Sequence, residues 1–164
     1  MVGTGNVGAA LGSAFARAGH EVTYGARSPE SDSARAAVER TPRSRALSLS
    51  DAAMGAEIVV LAVPWPAVSS AVAALGDLSG PIVVDATNPL RADLSGLSVQ
   101  GDNSAGEQIA AVLPDARVVK GVQYDRSVEP RRIGLSRRRV GDAGLRRRHG
   151  RQGDCCWACA GHRL

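Results

Sequence analysis

Apolar and polar positions along the first 120 residues fall into short alternating blocks of two kinds. Continuous β-branched and aliphatic runs recur at 56–63 ("AEIVVLAV"), 81–87 ("PIVVDAT") and 116–120 ("ARVVK"). Runs of this kind, without polar alternation, suit strands covered on both faces of a parallel sheet. A shorter run at 20–24 ("HEVTY") predicts a further strand. Between these runs lie Ala-rich stretches with helical spacing. The first places Val7, Leu11, Phe15 and Ala18 on one face and stops at Gly19, a residue that tolerates the left-handed turn ending many helices. "SPESDSARAAVERTP" (28–42) opens on Ser-Pro, carries acids in its first turn and ends at Pro42, which predicts a surface helix. Residues 65–75, with Pro66 in the first turn, and 104–114 predict two more. Strand and helix alternate at short spacing, so the expected class is α/β: a Rossmann-like, doubly wound parallel sheet with right-handed crossovers over residues 1–120.

The chain opens on Gly3-Thr4-Gly5-Asn6-Val7-Gly8, a G-x-G-x-x-G turn running into the first helix. Each glycine has a physical task in a dinucleotide site. Gly3 permits the tight turn, Gly5 clears backbone for a pyrophosphate, and Gly8 lets helix and sheet approach. Thr4, Asn6 and Val7 would line the diphosphate, which the helix start attracts with unpaired N–H groups and its positive dipole end. A strand should precede such a turn and strands run to about five residues, yet only Met1 and Val2 stand before Gly3. The first strand is therefore expected to be truncated. At the tip of the second strand an acid would grip a ribose 2′-hydroxyl, whereas a basic residue would take a 2′-phosphate. "YGARS" offers Arg27 and Ser28 and no acid, which favours NADP; the alternative is a solvated loop arginine. Ala62-Val63-Pro64 and Thr87-Asn88-Pro89 follow later strands at their carboxyl ends, where open α/β sheets hold ligands. They are expected to border the cofactor, although Asn-Pro also favours plain turns. Asp85 suits either a turn or a site.

Charge divides the chain where the hydrophobic pattern stops. Residues 1–120 carry 9 Lys+Arg against 12 Asp+Glu, net −3, whereas 121–164 carry 11 arginines against 4 acids, net +7. A basic arm can bind nucleic acid or a membrane surface. All three cysteines lie in the same segment, so the body has no disulfide framework and fits a reducing cytoplasm. No apolar run is long enough to span a membrane and no signal peptide is apparent. Cys156, Cys159 and His162 lack the usual zinc-ligand spacing, so no metal is expected. The body contains no nucleophile motif or Cys/His pair, and no catalytic side chain is assigned.

With these residues in view, the chain resembles the coenzyme F420-dependent NADP oxidoreductases, relatives of pyrroline-5-carboxylate reductase and of the STEAP ferric reductases. The resemblance covers residues 2–120 and rests on "GTGNVGAALG", "GHEVTYGAR", "VVLAVPW", "VVDATNPL" and "LPDARVVK". It implies that the glycine loop and the "GAR" tip hold NADP. The later loops would hold the nicotinamide against a deazaflavin (F420) or flavin, with direct hydride transfer between the rings. The cofactors carry the reactive atoms, so the protein's task is positioning. A homodimer built on C-terminal elements is implied too, but this chain departs from the family there. Other possibilities are a remnant that only binds NADP and an imine reductase like pyrroline-5-carboxylate reductase, which would need a helical C-terminal domain.

After Lys120 the family continues Ala-Phe-Asn-Thr, whereas this chain has Gly121-Val122-Gln123-Tyr124. Residues 121–126 can be encoded GGC GTT CAA TAC GAT CGG. Read one base downstream, that DNA gives Ala-Phe-Asn-Thr-Ile-Gly. Residues 121–164 are thus expected to be a frameshifted, unstructured tail whose arginines bind no nucleic acid and no membrane.

Overall fold

The computed structural model describes residues 1–91, 96–99 and 104–121. The basic tail after Gly121 lies outside the described residues. Two parallel ladders make up the sheet. In one, β1 (Thr23–Gly25) pairs with β2 (Arg45–Leu47). In the other, β3 (Ile58–Leu61) pairs with β4 (Ile82–Asp85), which pairs with β5 (Arg117–Lys120).

The two ladders are joined by the residues before Gly3. Val2 bridges Gly25 on one side and Leu61 on the other, both in parallel sense. Its N–H donates to the Val60 carbonyl at 2.8 Å and its carbonyl accepts from Ala62 N–H at 2.8 Å. On the other side Gly25 N–H donates to the Met1 carbonyl (2.7 Å) and Gly3 N–H to the Gly25 carbonyl (3.2 Å). The order across the layer is therefore β2–β1–(Met1-Val2)–β3–β4–β5, the Rossmann-like doubly wound order with its first segment at the switch point. The short first strand read from the sequence is a two-residue rung at the centre, and Val2 is only 2% exposed.

Helices cover this layer. One apolar cluster gathers Leu49, Leu61, Val68, Val72, Leu75, Val83, Ile109 and Val118; a second joins Ala9, Val22, Tyr24 and Ala37. α1 (Asn6–Arg17) buries Gly8, Ala9, Leu11, Gly12 and Ser13. This corrects the sequence-based face, because Val7 is 46% exposed and Phe15 only half-buried. The reason is close packing: a methyl on Gly12 would collide with the Tyr24 hydroxyl, so the helix turns its small residues inward. Tyr24 is fully buried, and its hydroxyl shares a 2.7 Å hydrogen bond with Thr41 Oγ1, which Ser13 Oγ meets at 3.0 Å.

α2 (Asp32–Glu39) lies inside the expected span, capped by Ser31, which accepts the Ala34 N–H. β2 and α3 (Leu49–Ala53, capped by Ser48) were not apparent from the pattern. A three-residue strand with an exposed arginine has too few positions to show a period. The expected helix at 65–75 divides into a 3-10 turn (Trp65–Ala67) and α4 (Val68–Ala73). α5 (Ala105–Val112) begins with a complete capping box, Ser104 and Glu107 each bonding the other's backbone N–H.

Candidate functional site

The glycine loop leaves the central rung and enters α1, and its three glycines face different surroundings. Gly3 has φ 106°, a conformation that side chains disfavour, and a methyl there would strike the Ala62 carbonyl. At Gly8 a methyl would strike the Gly3 carbonyl, so α1 lies directly against the loop that starts it. Gly5 is the opposite case. It is the N-cap of α1 at φ −72° and ψ −175°, which any residue adopts, and nothing lies within 4 Å of the place a methyl would occupy. Two glycines are thus hemmed in by the fold and one faces open space.

That space lies over a helix start with no side-chain cap and no acid in its first turn. The first-turn N–H groups lack intrahelical partners, and the helix dipole is positive there. An anion of diphosphate type suits such a cradle. Asn6 and Val7 are exposed beside it, and Thr4 is half-buried. Thr4 Oγ1 and Ser33 Oγ lie 3.0 Å apart in a hydrogen bond that ties the loop to the start of α2. Arg27 and Ser28 follow β1 and are both exposed. Among the described residues the side chains of Arg27 and Ser28 have no hydrogen-bond or ion-pair partner, and they follow Gly25, whose carbonyl accepts the N–H of Gly3 at the start of the loop.

On the other side of the rung, Ala62-Val63-Pro64 follows β3. Ala62 lies over Gly3, Val63 packs on the core, and Pro64 is exposed as the N-cap of the 3-10 turn. Thr87-Asn88-Pro89 follows β4 in the neighbouring position. Thr87 is 2% exposed with its hydroxyl turned inward, donating to Asp85 Oδ1 at 2.7 Å, while Asn88 and Pro89 are half-buried. The expected residues therefore line one edge of the sheet, the carboxyl ends of β1, the rung, β3 and β4.

Two polar residues of this edge escaped assignment from the sequence. Asp85, the last residue of β4, is fully buried, and Lys120, the last of β5, donates to its Oδ2 at 2.9 Å. An Asp followed two residues later by Thr is a recognisable turn pattern. The lysine is 35 residues away and only the strand register brings it there. Ser33, which bonds Thr4, was likewise not singled out in the sequence. Among the described residues no group of His, Cys, Asp or Glu has a metal-binding arrangement, and no helix is long and apolar enough to cross a membrane.

A family model described as NADP oxidoreductase coenzyme F420-dependent matches residues 1–89, from the central rung through Pro89. The chain belongs to this family of NADP oxidoreductases. The family's description joins two redox cofactors, NADP and coenzyme F420. Among solved structures, this chain is similar to a candidate F420-dependent NADP reductase of Arthrobacter sp. FB24. The two are 35% identical with a TM-score of 0.65, over 71% of this chain and 58% of that one. It is also similar to the hypothetical protein SMa0349 of Sinorhizobium meliloti, at 29% identity and TM-score 0.63, over 71% of this chain and 57% of that one. This family member thus spans less than two thirds of the length of either neighbour.

Proposed function

We propose that the chain binds NADP(H) across its glycine loop and transfers a hydride between the nicotinamide and a deazaflavin of the F420 type, or a similar acceptor. The observation that carries this is the open N-cap at Gly5, together with the unpartnered Arg27 at the end of the neighbouring strand β1. Gly3, Thr4, Gly5, Asn6, Val7 and Gly8 would hold the diphosphate. Arg27 and Ser28 would take the 2′-phosphate, a guanidinium matching phosphate oxygens in two parallel hydrogen bonds. Ala62, Val63, Pro64, Thr87, Asn88 and Pro89 would border the nicotinamide half. When bound, the two rings supply the hydride donor and acceptor. The chain's own groups orient the dinucleotide and neutralise its phosphates, so no acid–base residue is required of them. Membership of the family and the 35%-identical neighbour support this reading.

A second reading is favoured by one observation: the chain covers only 58% and 57% of its two structural neighbours. In it the domain holds NADP without completing the acceptor site. Titration of NADPH fluorescence tests binding, and NADPH oxidation with and without deazaflavin separates the two. No binding at millimolar NADPH refutes both. Binding without deazaflavin-dependent oxidation leaves the NADP-holding domain alone.

A further inference from the structure

An ion pair between a buried carboxylate and a half-buried lysine, at the far end of the proposed site, has no part in the diphosphate cradle. Asp85 and Lys120 are register partners at the carboxyl ends of β4 and β5. The Asp85 carboxylate is fully buried, and each of its oxygens is used. Oδ1 accepts the Thr87 N–H at 2.8 Å and the Thr87 hydroxyl at 2.7 Å; Oδ2 accepts Lys120 Nζ at 2.9 Å. Lys120 Nζ also donates to the Thr87 carbonyl. Two residues earlier in each strand, Val83 and Val118 fill their register positions with hydrocarbon.

Taking the Asp85 carboxylate out of water is a costly way to hold two strands together, since apolar residues of similar volume often do so as well or better. What the polar group adds is a grip on one backbone unit. The N–H, the hydroxyl and the carbonyl of Thr87 are all held, by two side chains from two strands. Thr87 immediately precedes Asn88-Pro89. The next strand over, β3, leads into Ala62, which lies on Gly3. The gripped turn is therefore next to the loop that covers the diphosphate turn, one strand further from Arg27.

We infer that Asp85, Thr87 and Lys120 form a positioning unit that fixes Asn88-Pro89 against the nicotinamide half of the dinucleotide, with Lys120 acting through Thr87. This rests on the NADP reading above. The unit should then serve the whole dinucleotide but not its adenosine end, which Arg27 and the glycine loop would hold alone.

The test is a pair of titrations, with NADPH and with 2′,5′-ADP, a fragment lacking the nicotinamide half. They are run on the full chain and on Lys120→Met, Thr87→Val and Lys120→Arg. Lys120→Met is expected to weaken NADPH about tenfold or more, equivalent to about 1.4 kcal/mol, while 2′,5′-ADP stays within about twofold of the parent. Lys120→Arg, which keeps the cation and its donors, should recover much of the loss. Thr87→Val leaves the ion pair intact and should show the same selective loss, so it carries the test if Lys120→Met does not fold. Equal losses for both ligands, or no loss for NADPH, overturn the inference. If the unaltered chain binds NADPH no more tightly than 2′,5′-ADP, the positioning unit falls and the dinucleotide reading stands. If it binds neither, both fall together.

Discussion

Replacing Gly5 by alanine should separate binding from folding. Its backbone, at φ −72° and ψ −175°, is open to alanine, and no atom lies within 4 Å of the position the methyl would take. Two small terms oppose each other in stability. Restricting the unfolded chain gains roughly 0.4–1 kcal/mol. Alanine is a poorer N-cap than glycine, at a cost of roughly the same size. The sum is within about 0.5 kcal/mol of zero, and at roughly 2–8 °C of Tm per kcal/mol the melting temperature should move by no more than a few degrees. The methyl nonetheless stands over the first-turn N–H groups of α1, where a diphosphate has to approach. Losing even one hydrogen bond to a charged group costs about 1.5–3 kcal/mol, so NADPH affinity should fall at least tenfold. Gly3→Ala is the contrast. It combines a φ of 106° with a methyl against the Ala62 carbonyl, and should destabilise the fold by several kcal/mol. Thermal melts followed by circular dichroism, with NADPH fluorescence titrations on the same samples, check both variants. A Gly5→Ala protein that melts as low as Gly3→Ala, or that binds NADPH as well as its parent, would refute the reasoning.

Arg27→Ala should weaken NADPH by about ten- to a hundredfold, the worth of a charge-assisted phosphate contact, and leave NADH almost unchanged; equal losses for both would remove Arg27 from the 2′-phosphate. In the chain that starts at Met1, burial lowers the terminal amine from 8.0 to about 6 while its N–H groups still donate to the Thr23 carbonyl at 2.6 Å. The unfolded chain then binds the extra proton between those values, so stability should rise as pH goes from 6 to 8, by up to about 2 kcal/mol. Urea melts at pH 6, 7 and 8 read this slope, and Nα-acetylation, which keeps an N–H donor but no charge, should flatten it. Sequencing the gene across codon 121 checks the altered frame: one base of shift should yield Ala-Phe-Asn-Thr, and an intact frame with unrelated codons would sink that account.

Much of this protein was legible in its sequence because the signals are local. The aliphatic runs within 58–61, 82–85 and 117–120 mark strands, although not the burial on both faces expected of them, since Ile58 is 52% exposed and Arg117 is exposed. Ser104 with Glu107 marks a helix start. The G-x-G-x-x-G turn announced itself by spacing alone. Tertiary structure decided what depends on distance across the fold. Motif spacing already marked Gly5 as the glycine to be left open, but what hems in the other two, Ala62 at Gly3 and Gly3 itself at Gly8, came only from the fold. The inward face of α1 followed from Tyr24 needing room at Gly12, against the pull of Val7 and Phe15 in the helical pattern. The two-residue rung could close the sheet only because β1 and β3 offered it partners on both sides. Asp85 and Lys120 became a pair through register, a property of two strands together that neither strand encodes by itself.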